Sequence, residues 1–312
     1  MKPRNCLIYY GWLNAFNSDQ NGYDNEKVSQ ELARYGMLVL GDGIQNPEHG
    51  DFANSVMIIT RLYELNPCIS IFGYVSVNQS AQDFAAKSDQ WNDLEIDGIF
   101  MDEAGYDYGT TSTNGRVAFN EKVDFVHSQT DACICFVNSW KPRYVLGTED
   151  DANNFPNSTW NPNLVQSNLC ECDICLMESF AVTSAGSSGS YESATLWAAR
   201  GLAWHSYQDE FEIGLVGASV ISDGDVDGQE KFDFVYTSAC MWGLNAVSTS
   251  DLYYGASSAA SKMWTRPDVE GLFGEPDCVI SIENNGTKYL RYVEFGLLTL
   301  DFGNETSLRV KY

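Results

Sequence analysis

Basic residues are scarce in this sequence. Its 312 residues hold 18 Lys and Arg against 43 Asp and Glu, a formal net charge of −25 at pH 7. Such a surface repels polyanions over most of its extent, and no basic cluster offsets the repulsion, so nucleic acid is excluded as a partner. A neutral or cationic partner fits better. Long apolar runs are missing too. None approaches the 18 residues that a membrane-spanning helix needs, so no membrane partner is expected. The basic start Met1–Arg4 precedes an apolar stretch from Cys6 to Trp12, as a secretory signal would. That stretch is short, holds two tyrosines and a glycine, and lacks a small-residue cleavage site before Asn14, so it reads as a first strand.

Several catalytic signatures are absent. No Gly-x-Gly-x-x-Gly follows the first strand and no phosphate-binding loop of the Walker type occurs, so no nucleotide cofactor is expected. There is no His-Glu-x-x-His, and only His49, His127 and His205 are present. The nearest approach to a nucleophile elbow, Gly186-Ser187-Ser188-Gly189, is one residue short and reads as loop. Cysteines number nine, an odd count that argues against a full disulfide framework. Cys6, Cys133, Cys135 and Cys175 sit in apolar runs, as small core residues do. Cys170, Cys172 and Cys175 cluster, but no second pair at zinc-like spacing follows, so neither metal nor cofactor is expected.

What is present is apolar and regularly spaced. Hydrophobic residues make up 44 % of the chain and aromatics 13 %, ample for a large core. Short apolar runs begin at Leu7, Met37, Ile69, Gly98, Ala132, Asp173, Glu212 and Gly243. They are nearly continuous rather than alternating, as in strands buried on both faces, and such strands are usually parallel. Helical periodicity fills Asn25–Tyr35, Phe52–Leu65, Arg116–His127, Ser190–Tyr207 and Gln229–Trp242, with Asp51, Ser80 and Asn114 as N-cap candidates. Trp140 to Leu169 reads as a long loop rich in Asn, Pro and Asp. Eight strands with helices between them predict a (β/α)8 barrel over residues 1–256. The texture then changes. A linker near Ser257–Pro267 leads to apolar runs around the Asn285-Gly286 hairpin signal, which predict a small antiparallel β appendage over residues 268–312.

In such a barrel the active site lies at the C-terminal ends of the strands. The polar residues that end these runs are therefore the candidates. Asp102 and Glu178 each follow a buried strand directly, where a charge is costly unless it has a role or a partner. Glycoside hydrolysis needs two carboxyl groups. Runs four and six lie two strand spacings apart, roughly 10 Å, from which inward-leaning side chains bring the carboxyls to about 5–9.5 Å. That range covers both retaining and inverting geometries. Glu103 is a third catalytic candidate, placed to orient Asp102. Tyr10, Trp12, Asp42, Tyr74, Asn138, Trp140 and Asp251 end other runs and are candidates for substrate binding, the aromatic ones as sugar platforms. Each of these residues also has a structural reading, as a cap, an ion-pair partner or core packing.

The segment DGIFMDEAGYDYG, from Asp97 to Gly109, resembles the fourth strand of the spherulin-4-type and endo-α-1,4-polygalactosaminidase-type glycoside hydrolases. IYYGW from Ile8, GYVSVN from Gly73, VNSW from Val137 and LMESF around Glu178 add to the resemblance, which covers about residues 5 to 250. It implies a barrel that cleaves galactosamine-containing polysaccharide, with Asp102 as nucleophile or charge stabiliser, Glu178 as general acid/base and Glu103 in support. A partly deacetylated aminosugar polymer is cationic, which suits the net charge. The C-terminal run YLRYVEFGLLTLDFG resembles the last strands of barrel hydrolase-like proteins of phage particles and bacterial surface systems. That implies a virion or surface assembly, and a non-catalytic glycan-binding barrel of such an assembly is the alternative function. A metal-dependent lyase or phosphodiesterase is a third.

Overall fold

A computed structural model describes residues 2–106, 115–148, 160–185, 188–221, 224–250, 263–266, 281–293 and 296–311. The chain begins with β1 (Arg4–Tyr9), two short helices α1 (Ser18–Asn21) and α2 (Asn25–Leu32), β2 (Met37–Leu40), α3 (Phe52–Leu65), β3 (Ser70–Ser76) and α4 (Ala81–Asn92). It continues through β4 (Gly98–Asp102), α5 (Gly115–His127), β5 (Ile134–Asn138), α6 (Pro142–Val145) and β6 (Ile174–Met177). A hairpin of β7 (Val182–Ala185) and β8 (Ser188–Tyr191) precedes α7 (Ala194–Phe211), β9 (Gly214–Val220), α8 (Gly228–Trp242) and β10 (Ala246–Ser250). Four further strands close the sequence: β11 (Ser281–Glu283), β12 (Lys288–Val293), β13 (Gly296–Asp301) and β14 (Thr306–Lys311).

Strands β1, β2, β3, β4, β5, β6, β9 and β10 form a closed parallel barrel in that cyclic order. Each of the eight apolar runs supplies one strand. Alternation along the strands divides the core in two. Residues of one phase, among them Ile8, Phe72, Phe100, Phe136, Leu176 and Val216, fill the barrel interior. Residues of the other phase, such as Leu7, Ile71, Ile99, Val137 and Leu215, pack outward under the helices. Both phases are apolar, which is why the runs lack a polar alternation.

Local signals account for much of the detail. Ser80 caps α4, its hydroxyl accepting from the Asp83 amide at 3.1 Å. Asp51 stands at the α3 cap position but binds elsewhere, accepting from the Asn14 amide at 3.2 Å and the Asn54 side chain at 2.9 Å. Asn114 lies outside the described residues. The stretch Gly186–Gly189, expected in a loop with no strand before it, instead follows strand β7, and Ser188 and Gly189 belong to β8. Gly189 is required there. A Cβ at this position would meet the Val220 carbonyl oxygen at 2.3 Å, so only glycine lets the hairpin lie against the end of β9.

The long connection between β5 and β6 is held from α5. Arg116 is fully buried, and its guanidinium donates to the carbonyls of Arg143 at 3.1 Å, Tyr144 at 2.6 Å and Val165 at 3.2 Å. Trp160 Nε1 donates to the same Tyr144 carbonyl at 2.7 Å. Burial depresses the Arg116 guanidinium to about 10, still high enough to keep its charge at neutral pH.

The predicted β appendage is a four-stranded antiparallel sheet, β11 to β14 in sequence order. Its first turn falls on Asn284–Gly286, with Glu283 paired to Lys288. Of the expected junction with the barrel, residues 263–266 are described: Trp264 is buried against Gly228, and the Thr265 amide donates to the Gln229 side chain at 3.2 Å. The sheet packs on α7 and α8 rather than standing apart. Trp197, fully buried, meets Tyr289 at 4.8 Å and Phe302 at 5.2 Å between ring centroids, and Phe234 meets Phe302 at 5.0 Å. Each such pair adds about 0.5–1.5 kcal/mol beyond its buried area. Arg291 donates to the α8 carbonyls of Cys240 and Met241 at the same contact.

Candidate active site

The interior phase of the strands carries the site. On β4 the inward residues run Phe100 then Asp102, on β5 Phe136 then Asn138, and on β6 Leu176 followed by Glu178 just past the strand. Tyr74 stands above Phe72 on β3, and Tyr10 above Ile8 just past β1. The lower layers are apolar and the layer at the C-terminal mouth is polar. From the strand next to β6 round to the one next to β1, β9 and β10 present Ala218, Ser219, Val220, Ser248 and Ser250. These small side chains leave a cavity of about 370 Å³, lined also by Tyr10, Asp102, Asn138 and Glu178. Bulk on one side and its lack on the other make the pocket.

Asn138 joins the two acids. Its Nδ2 donates to Asp102 Oδ1 at 2.8 Å and lies 3.4 Å from Glu178 Oε2. Those two carboxylate oxygens are therefore at most about 6.2 Å apart, the sum of the two lengths. A donor between two carboxylates fixes the amide's orientation, because Oδ1 in that place would repel both. Asn138 Oδ1 is consequently turned elsewhere, and it is buried with no partner among the described residues.

Asp102 is half-buried, and burial holds its carboxyl above the ordinary aspartate range. Three donors act in the opposite direction: the Asn138 amide, the Glu103 backbone N–H and the Tyr74 hydroxyl. The Glu103 charge raises it further. Burial and the nearby charges of Asp102, Glu103 and Asp42 push the Tyr74 phenol far up, so it stays protonated and donates. Tyr10 packs edge-to-face on Tyr74 at 5.1 Å, which fixes that ring.

The residue after each acid takes a left-handed backbone, Glu103 at φ 59° and Ser179 at φ 52°. For residues with a Cβ this costs about 1–2 kcal/mol each. Such strain persists where surrounding contacts impose it and clusters at functional sites. At Glu178 the imposing group is Arg200. It donates to the carbonyls of Glu178 and Ser179, stacks 4.5 Å over the Trp140 ring and pairs with Glu192 at 3.7 Å.

The structure thus brings together Tyr10, Tyr74, Asp102, Asn138 and Glu178, and sets other candidates aside. Glu103 turns its side chain to Ser76 Oγ at 2.5 Å and Asn78 Nδ2 at 3.2 Å, and serves Asp102 through its backbone. It follows Asp102 directly and so falls in the opposite phase. Asp42 is out of phase with inward Met37 and Val39, and it pairs with Lys87 and Gln45. Trp12 is exposed, edge-on to His49 at 5.1 Å, and Trp140 lies under Arg200, both beyond the cavity lining. Asp251 lies outside the described residues. Sequence reasoning missed Arg200, for which no signal exists, since it acts on backbone carbonyls from a distant helix. The serines of β10 were legible by phase: Ser248 and Ser250 follow inward Ala246 at intervals of two.

The hydrogen bonds at Asp102 predict a pH effect. If the ionised carboxylate does the work, the acidic limb of kcat/KM lies above the ordinary aspartate value of about 3.9. Removing a donor that favours the charged form raises the folded pKa further, so Tyr74→Phe moves this limb to higher pH while keeping the ring packing. A pH profile of kcat/KM for the two proteins checks the sign; a limb that stays or moves down contradicts it.

No family model matches the sequence, and no curated protein matches it. Solved structures do resemble the fold. Amy13B of Eubacterium rectale matches with a TM-score of 0.49 at 10 % identity, over 96 % of this chain and 85 % of that one. A broad-specificity GH5-4 endoglucanase from Ruminococcus champanellensis, solved with bound cellotriose, matches with 0.47 at 7 % identity, over 82 % and 89 %. Pyruvate carboxylase of Rhizobium etli matches with 0.42 at 9 % identity, over 79 % and 22 %.

Proposed function

We propose that the chain is a glycoside hydrolase that cleaves a polysaccharide with Asp102 and Glu178. The observation that carries this reading is the pair of carboxylates at the mouth of the barrel, tied by the single amide of Asn138. The two oxygens that face the Asn138 amide lie within about 6.2 Å of each other, between the roughly 5–5.5 Å that separates the carboxyl groups of retaining enzymes and the roughly 6.5–9.5 Å of inverting ones. The proposed reaction is a retaining double displacement, with which that bound is compatible.

In the first step Asp102 attacks the anomeric carbon as the bond to the leaving sugar breaks, and Glu178 gives its proton to the departing oxygen. In the second step Glu178 takes a proton from water, whose oxygen replaces Asp102 at that carbon. The division of roles follows the resemblance at Asp97–Gly109. Asp102 is held by three donors in one orientation, as an attacking carboxylate needs. Glu178 stands exposed at the cavity mouth. Asn138 keeps both groups in register.

The net charge of −25 and the resemblance at Asp97–Gly109 together support a partly deacetylated galactosamine polymer as substrate. A panel of three polymer classes tests this: a partly deacetylated aminosugar polymer, a neutral glucan and a polyuronate. Reducing ends are expected from the aminosugar polymer and none from the polyuronate. Preferential cutting of the polyuronate overturns the assignment, and binding without cutting on every polymer favours an adhesion barrel.

A further inference from the structure

The face of the barrel opposite the cavity holds a second cluster. His127 ends α5, Cys170 and Cys172 lie in the loop before β6, and Asp173 immediately precedes that strand. One donor atom from each of the four lies within 4.8 Å of all the others. His127 Nε2 is 3.1 Å from both Asp173 oxygens, and the two sulfurs are 2.9 Å apart. Asp173 is fully buried. Its position is fixed by the Cys135 and Cys170 amides, each donating at 2.8 Å. Its own carbonyl accepts from Gly214 at 2.8 Å, so three strands and a helix meet at this residue.

From this donor set we infer a structural metal site of the zinc type, with His127, Cys170, Cys172 and Asp173 as its four ligands. Two soft sulfurs, an imidazole and a carboxylate suit zinc and form a closed set of four. With zinc–sulfur bonds of about 2.3 Å, a tetrahedral edge between sulfurs is about 3.8 Å, so the cysteines part by about 0.9 Å on binding. Both thiols release their protons to solvent, the neutral imidazole would bind through Nε2 and keep its proton on Nδ1, and the ion would take the place of the histidine–carboxylate hydrogen bond. A disulfide between Cys170 and Cys172 relieves the sulfur crowding as well, but it uses neither His127 nor the buried carboxylate. Only an ion engages all four.

The site clamps the end of α5 to the start of β6, on the face where barrels keep their stability rather than their chemistry. The test uses the full chain, its zinc content by elemental analysis, and cobalt(II) as a spectroscopic substitute. The wild type is expected to bind about one equivalent, with the sulfur-to-cobalt charge-transfer band of a thiolate site. Cys172→Ser, an exposed position, is expected to stay folded, lose that band and hold less than about a tenth of the metal. A chelator is expected to lower the Tm of the wild type but not of Cys172→Ser. Failure of zinc or cobalt to bind the reduced wild type, or a band that survives Cys172→Ser, overturns the site. A native mass two hydrogens light with Cys170 joined to Cys172 and no metal does so too. These readouts do not involve the carboxylates at the other face, so they stand or fall apart from glycan cleavage.

Discussion

Asp102→Asn is expected to lower turnover by a factor on the order of 10³ or more while leaving the fold intact. The substitution keeps the side chain's shape, and its oxygen can still accept from Asn138, but it removes the charge that the proposed reaction directs at the anomeric carbon. Stability is expected to move the other way. The folded pKa of Asp102 is raised, so the folded state binds this proton more tightly than the unfolded chain does. Protonation below the folded pKa stabilises the fold, and that contribution is lost as pH rises through it. At neutral pH the buried charge is therefore a cost, and Asp102→Asn removes it. The expected result is a Tm equal to or above that of the wild type at pH 7, with activity lost. Melting curves beside initial rates check both halves. A variant that is inactive because it is unfolded contradicts the account, and so does one that retains near wild-type turnover.

The second large effect is at Arg116. Arg116→Ala deprives the carbonyls of Arg143, Tyr144 and Val165 of a buried cationic donor. Tyr144 keeps the Trp160 Nε1 donor and Val165 keeps the Asn161 amide, so the cost is that of the lost charged hydrogen bonds, about 1.5–3 kcal/mol each, before the volume of the lost side chain is counted. We expect an unfolding free energy lower by about 3–5 kcal/mol, measured from urea midpoints. Arg116→Lys is expected to recover less than half of this, because one ammonium on a flexible stem cannot span three carbonyls as a planar fork does. A loss below about 1 kcal/mol for Arg116→Ala contradicts the anchoring role.

The barrel was legible because its signal is crude and repeated. Strands buried on both faces give apolar runs, and the helices between them give a different period. The site was half legible. Asp102 and Glu178 announced themselves as charges directly after such runs. Their partners were separable by a finer rule, the two-residue phase of each strand, which admits Tyr74, Asn138 and Ser248 and rejects Asp42 and Glu103. Trp12 and Trp140 keep that phase but lie beyond their strand ends, where it no longer fixes direction. Arg200 and Arg116 were not legible at all, since a side chain that binds backbone carbonyls leaves no pattern in the chain it binds. The His127–Asp173 cluster was missed for a related reason: its histidine comes from a helix some forty residues before the cysteines, so no spacing rule joins them.

The central claim is that Asp102 and Glu178 hydrolyse a glycosidic bond at the mouth of the barrel. It is tested most directly by incubating the wild type and Asp102→Asn with the polymer panel in water enriched in heavy oxygen. The product ends are then read by mass spectrometry. The account predicts that one polymer is cut by the wild type, that each new reducing end carries one heavy oxygen at its anomeric carbon, and that Asp102→Asn produces none. New ends that are unsaturated and unlabelled, as elimination gives, contradict it, as does labelled product formed equally well by the variant.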